Sequence, residues 1–289
     1  MALALKPGER VGIIAGGGLL PLQVARSIAG EGHKPFILII EGEPGLETGL
    51  SEFSHQDVPI EKFARFPSIM IANGVTHLVM AGSITRRPKW SAVEWSWDLA
   101  RVLVAVVPAL AKGDDSLLKT SVGILEKSGL RVVGPHEFVP DLVARLGAMT
   151  LKKPDSQAQH DIEAGLKAAL AIGALDIGQG AVSIGGRVIA LEGIEGTDGL
   201  LERVRDLRSH GRLAGRQGGV LVKCTKPGQE LRADLPGMGT RTVEDAHAAG
   251  LAGIAVEAGR TLIVDYDQAV RRADELGVFI VGIKADLAA

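Results

Sequence analysis

At 289 residues the chain has room for one large domain or two of ordinary size, and 46% hydrophobic against 23% charged residues argues against a disordered chain. Lys and Arg number 32 and Asp and Glu 34, a net charge of −2, which argues against the basic face of a nucleic-acid binder. The single cysteine, Cys224, excludes an internal disulfide and points to a reducing compartment.

The first eight residues lack the charged start and apolar stretch of a signal peptide, so none is expected. The longest apolar run, 102–111, contains Pro108 and falls far short of the ~20 residues that span a bilayer. Any action at a membrane is therefore expected from its surface. Glycine is abundant, at 38 residues, beside six Phe, three Trp and one Tyr, which predicts an aliphatic core joined by tight turns.

In chain order, the apolar run 11–15 predicts a strand that stops at Gly16-Gly17-Gly18. Pro21 opens a helix that ends at Gly30 and Gly32, the expected punctuation. Residues 36–40 and 78–81 read as further buried strands, with a helix near 66–73 between them. Helices at about 92–112 and 115–128 and a strand at 131–133 follow. Short apolar strands separated by helices predict a parallel sheet covered on both faces. The pattern weakens over 135–154, the expected linker. A helix over 155–175 then leads to strands 180–184 and 187–191, which the Gly185-Gly186 turn folds into a hairpin. A helix near 199–209, a strand at 219–224 and alternating segments to residue 283 complete the chain. The expected fold is α/β in two domains: a Rossmann-like parallel sheet in 1–134 and a mixed α/β domain in 155–289, with the substrate in the cleft between them.

Five clusters carry candidate chemistry. Gly16-Gly17-Gly18-Leu19 lies between a strand and a helix, where backbone N–H groups and the helix field can receive a phosphate. The same residues also make a plain tight turn, and Pro21 stands where a dinucleotide fingerprint needs its third glycine. Glu41, at the end of the second strand, can imitate the ribose-binding acid of such a site. Gly82 and Ser83 follow another strand, and Arg86, Arg87 and Lys89 beside them can neutralise phosphate or simply face solvent. Lys112-Gly113-Asp114-Asp115 can hold a hard cation or cap a helix. In the later half, Gln179 leads into the hairpin, and Glu192, Glu195, Thr197 and Asp198 line its glycine-rich exit. Capping accounts for Thr197 or Asp198 and leaves Glu192 and Glu195 unexplained. Lys223, Lys226 and Asp234 lie around a strand end and a polar loop, where a rigid sheet presents functional residues.

Other chemistries lack their signatures. The seven His show no zinc-like spacing, and neither a nucleophile elbow nor a P-loop is present. Trp90, Trp95 and Trp97 either line an apolar groove or pack in the core.

Several short motifs occur together, in order, over nearly the whole chain. They are Ile14-Ala15-Gly16-Gly17-Gly18-Leu19-Leu20-Pro21, Ala81-Gly82-Ser83 with Arg87-Pro88, Lys112-Gly113-Asp114-Asp115, Leu175-Asp176-Ile177-Gly178-Gln179-Gly180, Glu195-Gly196-Thr197-Asp198, Lys226-Pro227-Gly228-Gln229, Asp234-Leu235-Pro236 and Ala249-Gly250-Leu251-Ala252-Gly253-Ile254. In these the chain resembles the UDP-2,3-diacylglucosamine pyrophosphatases of the LpxI type. Ser83 departs from the asparagine frequent at that position.

The resemblance implies hydrolysis of UDP-2,3-diacylglucosamine to UMP and 2,3-diacylglucosamine 1-phosphate, a step of lipid A assembly. It also implies dependence on Mg²⁺, or Mn²⁺ in its place, and work at the cytoplasmic face of the inner membrane through peripheral contact. It places the essential aspartate on Asp234, as metal ligand and activator of water. Glu195 and Asp198 are the expected further metal ligands. Lys223 and Lys226 are expected to counter phosphate charge. Gly16, Gly17, Gly18, Leu19, Gly82, Ser83, Arg87, Gln179 and Thr197 are the expected substrate contacts. An oligomer is compatible with this reading, and no nucleic-acid partner is expected. Two other readings stay open: a dinucleotide-binding oxidoreductase and a non-catalytic binder of a nucleotide-lipid.

Overall fold

The structure, a computed structural model, describes residues 3–86, 88–89, 91, 93, 97–110, 114–209, 211, 213 and 215–285. Trp90, Trp95, Arg87, Lys112 and Gly113 lie outside the described residues. The chain forms two compact units, one of Met1–Pro140 with Glu230–Asp234, the other of Asp141–Gln229 with Leu235–Ala289.

The first unit contains β1 (Val11–Ala15), α1 (Leu20–Gly30), β2 (Phe36–Ile40), β3 (Ser54–Val58), α2 (Phe66–Ala72), β4 (His77–Ala81), α3 (Trp97–Leu110), α4 (Asp114–Lys127) and β5 (Arg131–Val133). Its five strands are all parallel, in the order β3-β2-β1-β4-β5. This is the strand order of doubly wound sheets, with its switch point between β1 and β4. Successive side chains alternate faces. Ile14, Phe36, Leu38, Ile40 and Leu78 therefore share a core with Phe66 and Met70 of α2 and Val122 and Leu125 of α4. Ile13, Ile37 and Val79, all fully buried, take the opposite pleat, and α1 packs on β1 and β4. Each such side chain contributes about 1.5–3 kcal/mol by leaving water.

β3 has no counterpart among the expected strands. Ser54, His55, Gln56 and Asp57 are exposed and only Val58 is buried, so no apolar run marks it. It exists because β2 offers a free edge, along which it pairs in full register. Polar residues suit a strand at the rim of a sheet.

The second unit contains β6 (Gly147–Ala148), α5 (Ser156–Ala174), β7 (Gly180–Ile184), β8 (Arg187–Leu191), α6 (Gly196–Ser209), β9 (Val220–Lys223), β10 (Gly237–Met238), α7 (Thr240–Ala248), β11 (Gly253–Glu257), β12 (Leu262–Ile263), α8 (Tyr266–Leu276) and β13 (Phe279–Ile283). Its main sheet runs β6-β13-β11-β9-β7-β8. β9, β11 and β13 are parallel; β6, β7 and β8 each run antiparallel to their neighbours. This is the mixed α/β sheet expected from the pattern.

One face of that sheet carries Val220, Val222, Cys224, Ala255 and Phe279 against Ala158, Ile162, Leu166 and Ala169 of α5. α5 comes this close because Gly165 faces Val222, whose methyl would meet any added Cβ. The other face, with Leu221, Ile254, Val256 and Ile280, is covered by α6, α7 and α8. α5 starts where Asp155 accepts the Ala158 N–H at 2.8 Å.

The stretch 135–154 is divided between the units and is largely built in. Gly147 and Ala148 pair with β13, Met149 donates to the Ile280 carbonyl at 2.9 Å, and the Thr150 hydroxyl receives the Ile280 N–H at 2.9 Å. A two-residue strand carries too little periodicity to show in a sequence.

Candidate active site

In open α/β sheets ligands gather beyond the carboxyl ends of strands. In the first unit those ends carry three loops, 16–19, 41–46 and 82–86, tied together by backbone hydrogen bonds. The Gly16 N–H donates to the Ala81 carbonyl at 2.9 Å. Gly17 and Ser83 exchange N–H···O bonds of 2.8 and 2.9 Å, and the Gly18 N–H donates to Gly45 at 2.9 Å. Gly16, Gly17, Gly82 and Ser83 are thus brought together. The two former are glycine because the Ser83 and Pro44 carbonyls stand where their Cβ atoms would be.

This changes the expected role of the glycines. The N–H groups of Gly16, Gly17 and Gly18 are taken up by the protein and are not offered to a phosphate. The open donors lie one step further on, at Leu19 and Leu20, where α1 begins with no side-chain cap. A helix start of this kind draws an anion.

Glu43 is a residue that sequence reasoning missed. It is 4% exposed. One carboxylate oxygen accepts the Thr85 N–H at 2.8 Å and the Thr85 hydroxyl at 2.9 Å; the other accepts the Arg86 N–H at 3.2 Å. The Arg86 guanidinium donates to the Glu41 carbonyl at 2.7 Å. Glu43 therefore holds the 82–86 loop, and Glu41 takes part through its backbone. The signal was weak: a carboxylate between Gly42 and Pro44 reads as a solvated turn.

In the second unit the corresponding ends are lined by buried polar side chains. Glu192 (5% exposed), Lys223 (4%), Thr225 (6%) and Glu257 (6%) cluster at the exits of β8, β9 and β11. Glu192 accepts the Thr197 hydroxyl at 2.7 Å and the Gln179 N–H at 3.1 Å. The Lys223 ammonium donates to Thr197 Oγ1 at 2.7 Å and to the Gly237 carbonyl at 2.9 Å. Glu257 accepts the Thr225 N–H and hydroxyl at 2.8 and 2.6 Å. Three of the expected residues, Gln179, Thr197 and Lys223, thus meet through Glu192. The Gln179 side-chain oxygen is buried without a hydrogen-bond partner, an acceptor that a ligand donor can satisfy.

Cys224 lies in the same cluster. Burial pushes its thiol up to about 12, and the nearby Glu257 and Glu192 add to the effect. A thiol held protonated in this way is no nucleophile. Lys226 pairs with Asp176 at 2.7 Å, and its N–H is received by the Gln229 side chain at 2.8 Å.

Asp234 belongs to the first unit, at the end of the segment Glu230–Asp234. Its N–H donates to the Glu230 carbonyl at 2.9 Å. The Glu230 N–H donates to the Asp115 carboxylate at 3.2 Å, and Arg232 bridges Glu230 and Glu126 at 2.8 and 2.6 Å. The Arg232 hydrogen bond holds the Glu230 carboxyl below its ordinary value. Ala233 packs on the core that α2 and α4 cover. Asp115 is thus a ligand of this turn and of Lys119, at 2.6 Å, one helical turn on.

Two of the expected metal ligands, Glu195 and Asp198, each pair with an arginine. Glu195 pairs with Arg203 at 2.5 Å; its own N–H and that guanidinium hold its carboxyl below the ordinary value. Asp198 pairs with Arg241 at 3.2 Å. Among the described residues no group of three or more His, Cys, Asp and Glu stands where it could hold a metal ion.

Residues 10–142 match the family model of the LpxI N-terminal domain, and residues 145–281 that of the LpxI C-terminal domain. The chain is 38% identical over 277 residues to the UDP-2,3-diacylglucosamine pyrophosphatase LpxI of Caulobacter vibrioides, covering 95% of this chain and 98% of that one. With both domain models matched in order and a relative aligned almost end to end, the chain belongs to the LpxI family.

Proposed function

We propose that this chain is a pyrophosphate hydrolase that cleaves UDP-2,3-diacylglucosamine to UMP and 2,3-diacylglucosamine 1-phosphate, in lipid A biosynthesis. The observation that carries this is the 38% identity to the Caulobacter pyrophosphatase across nearly the whole of both chains.

The geometry is suited to the chemistry. Anhydride hydrolysis needs cations and N–H donors where charge develops, a placed water and a defined leaving group. In the first unit the helix start at Leu19 and Leu20 would receive phosphate oxygens, with Gly82 and Ser83 as the adjoining wall. In the second unit Lys223 supplies a fixed positive charge and Gln179 an open acceptor. Asp234 would accept the proton of the attacking water. Magnesium, where it takes part, would be held by the diphosphate oxygens and by Asp234 and would neutralise their charge. No described helix is long and apolar enough to cross a membrane. The lipid product would therefore be passed to a bilayer that the protein meets from its surface.

The test is UMP release from UDP-2,3-diacylglucosamine by the wild-type chain and by Asp234→Asn. The wild type should turn over, and the variant should lose about 10²–10⁴-fold in kcat, the usual worth of a general base, with substrate binding retained. Near-normal turnover by Asp234→Asn would remove Asp234 from the reaction.

A further inference from the structure

Residues 102–109 of α3 are apolar without exception, Val-Leu-Val-Ala-Val-Val-Pro-Ala. A helix apolar on every side is normally enclosed by protein. α3 is not. It packs on α4 and on the 3₁₀ segment Ile60–Arg65, and its other side is open. Val104 is 79% exposed and Val107 56%, with Ala105 and Pro108 exposed beside them. These four share one helical face by their spacing. Next to that face a groove of about 460 Å³ runs between α2, α3 and α4. Its apolar walls are Ala64, Pro67, Ile71, Val102, Ala105 and Ile124, and Ile71 is itself 48% exposed. A single exposed valine is ordinary; a helical face and an adjoining groove, both apolar, mark a surface that meets something. The run is too short to cross a bilayer, and a helix of this kind lies along an interface instead.

The charges around the face decide what it meets. Lys62 and Arg65 stand within two residues of Ala64, and Lys127 lines the groove itself. Among the described residues none of the three is in an ion pair. The carboxylates on the same segments are engaged elsewhere: Glu61 accepts the Lys89 N–H at 3.2 Å, and Glu126 pairs with Arg232 at 2.6 Å. On a chain of net charge −2, three such cations make a local excess of positive charge. A second copy docked face to face would bring the same cations against one another. A lone alkyl chain in the groove answers none of them and leaves Val104 in water. An anionic bilayer answers both features, since its hydrocarbon receives the valines and its headgroup phosphates the cations.

We propose that the open face of α3, with the groove beside it, docks on an anionic lipid bilayer. Val104, Val107 and Ile71 enter the acyl boundary, while Lys62, Arg65 and Lys127 meet the phosphates. The choice of partner rests in part on the activity proposed above, whose substrate and sugar product are lipids.

The experiment is co-flotation of the full chain with vesicles that contain no substrate, alongside UMP release from UDP-2,3-diacylglucosamine dispersed in detergent micelles. The wild type should float with vesicles of phosphatidylcholine mixed with phosphatidylglycerol and bind phosphatidylcholine alone more weakly. Val104→Glu/Val107→Glu should weaken binding to the anionic vesicles about tenfold or more, because two apolar side chains lose their burial. Arg65→Gln and Lys127→Gln should each weaken it about fivefold, and only on anionic vesicles. All these side chains are exposed, so melting temperature and UMP release from micelles should stay at the wild-type values. No flotation of the wild type, or undiminished flotation of the valine double variant, would overturn the proposal. So would a raised KM in micelles with flotation intact, which assigns the face to the substrate's acyl chains. A dimer that the valine variant splits, without vesicle binding, would assign it to a second copy and overturn the proposal equally. Flotation as expected with no UMP release would support docking and overturn the proposed activity instead.

Discussion

The two units present their ligand edges in different materials. In the first, the edge is largely backbone: glycines let three loops approach until their amides bond one another, and the side chains of Glu43 and Arg86 secure the assembly. In the second, the edge is side chain: two buried carboxylates, a buried ammonium and two hydroxyls bond across strand ends. The first kind tolerates almost no change of shape, because an added carbon meets a carbonyl. The second tolerates shape but not loss of charge or of a hydrogen bond, because each buried group depends on the next.

The sharpest way to break this comparison is Gly17→Ala. Its new carbon falls on the Pro44 carbonyl. Thermal unfolding should show a loss of about 1–3 kcal/mol, the usual cost of overpacking, and UMP affinity should fall with it. Unchanged stability and affinity would mean that the glycine edge has slack the structure does not show.

Glu43→Ala comes next in expected size. It leaves the Thr85 and Arg86 N–H groups without their acceptor, about 1–3 kcal/mol for buried donors. The 82–86 loop should loosen, so KM should rise about tenfold, equivalent to about 1.4 kcal/mol, while kcat holds. A kcat defect at unchanged KM would place Glu43 in the chemistry instead.

The smallest effect sharpens the picture of the first unit alone. Burial depresses the ionisation of His136, whose Nδ1 is enclosed without a partner. The unfolded chain therefore takes up a proton near pH 6.5 that the folded chain resists. The stability this histidine contributes is present above that pH and is lost as pH falls below it. An NMR titration of the His136 ring should give a midpoint below 6.5; a midpoint at or above it would contradict the burial argument.

The same contrast explains what could be read from the residues. β1 and β2 were plain because every position of Val-Gly-Ile-Ile-Ala and Phe-Ile-Leu-Ile-Ile is buried in a parallel sheet. β3 was not, because Ser-His-Gln-Asp is exposed and carries no apolar run, and it forms by pairing with β2. The glycine loop was legible as a site, but not the direction of its N–H groups, which depends on Ala81, Ser83 and Gly45 arriving from other loops. Gln179, Thr197 and Lys223 were legible as candidates from the glycine-rich exits around them, and Glu192 stood out as a carboxylate without a capping role. Their linkage was not legible, since it joins residues up to 44 positions apart through one carboxylate. The arginine partners of Glu195 and Asp198 were not legible for a related reason: Arg203 lies two turns along α6 from Glu195 and Arg241 comes from α7. The grouping of Glu230–Asp234 with the first unit rests on Asp115, Glu126 and the core around Ala233, and nothing in the local sequence announces it.

The most direct measurement incubates the wild-type chain with UDP-2,3-diacylglucosamine in ¹⁸O-water and weighs both products. One oxygen-18 in either UMP or the sugar phosphate, with the two formed in equal amounts, is the outcome that hydrolysis at the diphosphate requires. Intact substrate, or products free of the label, would contradict it.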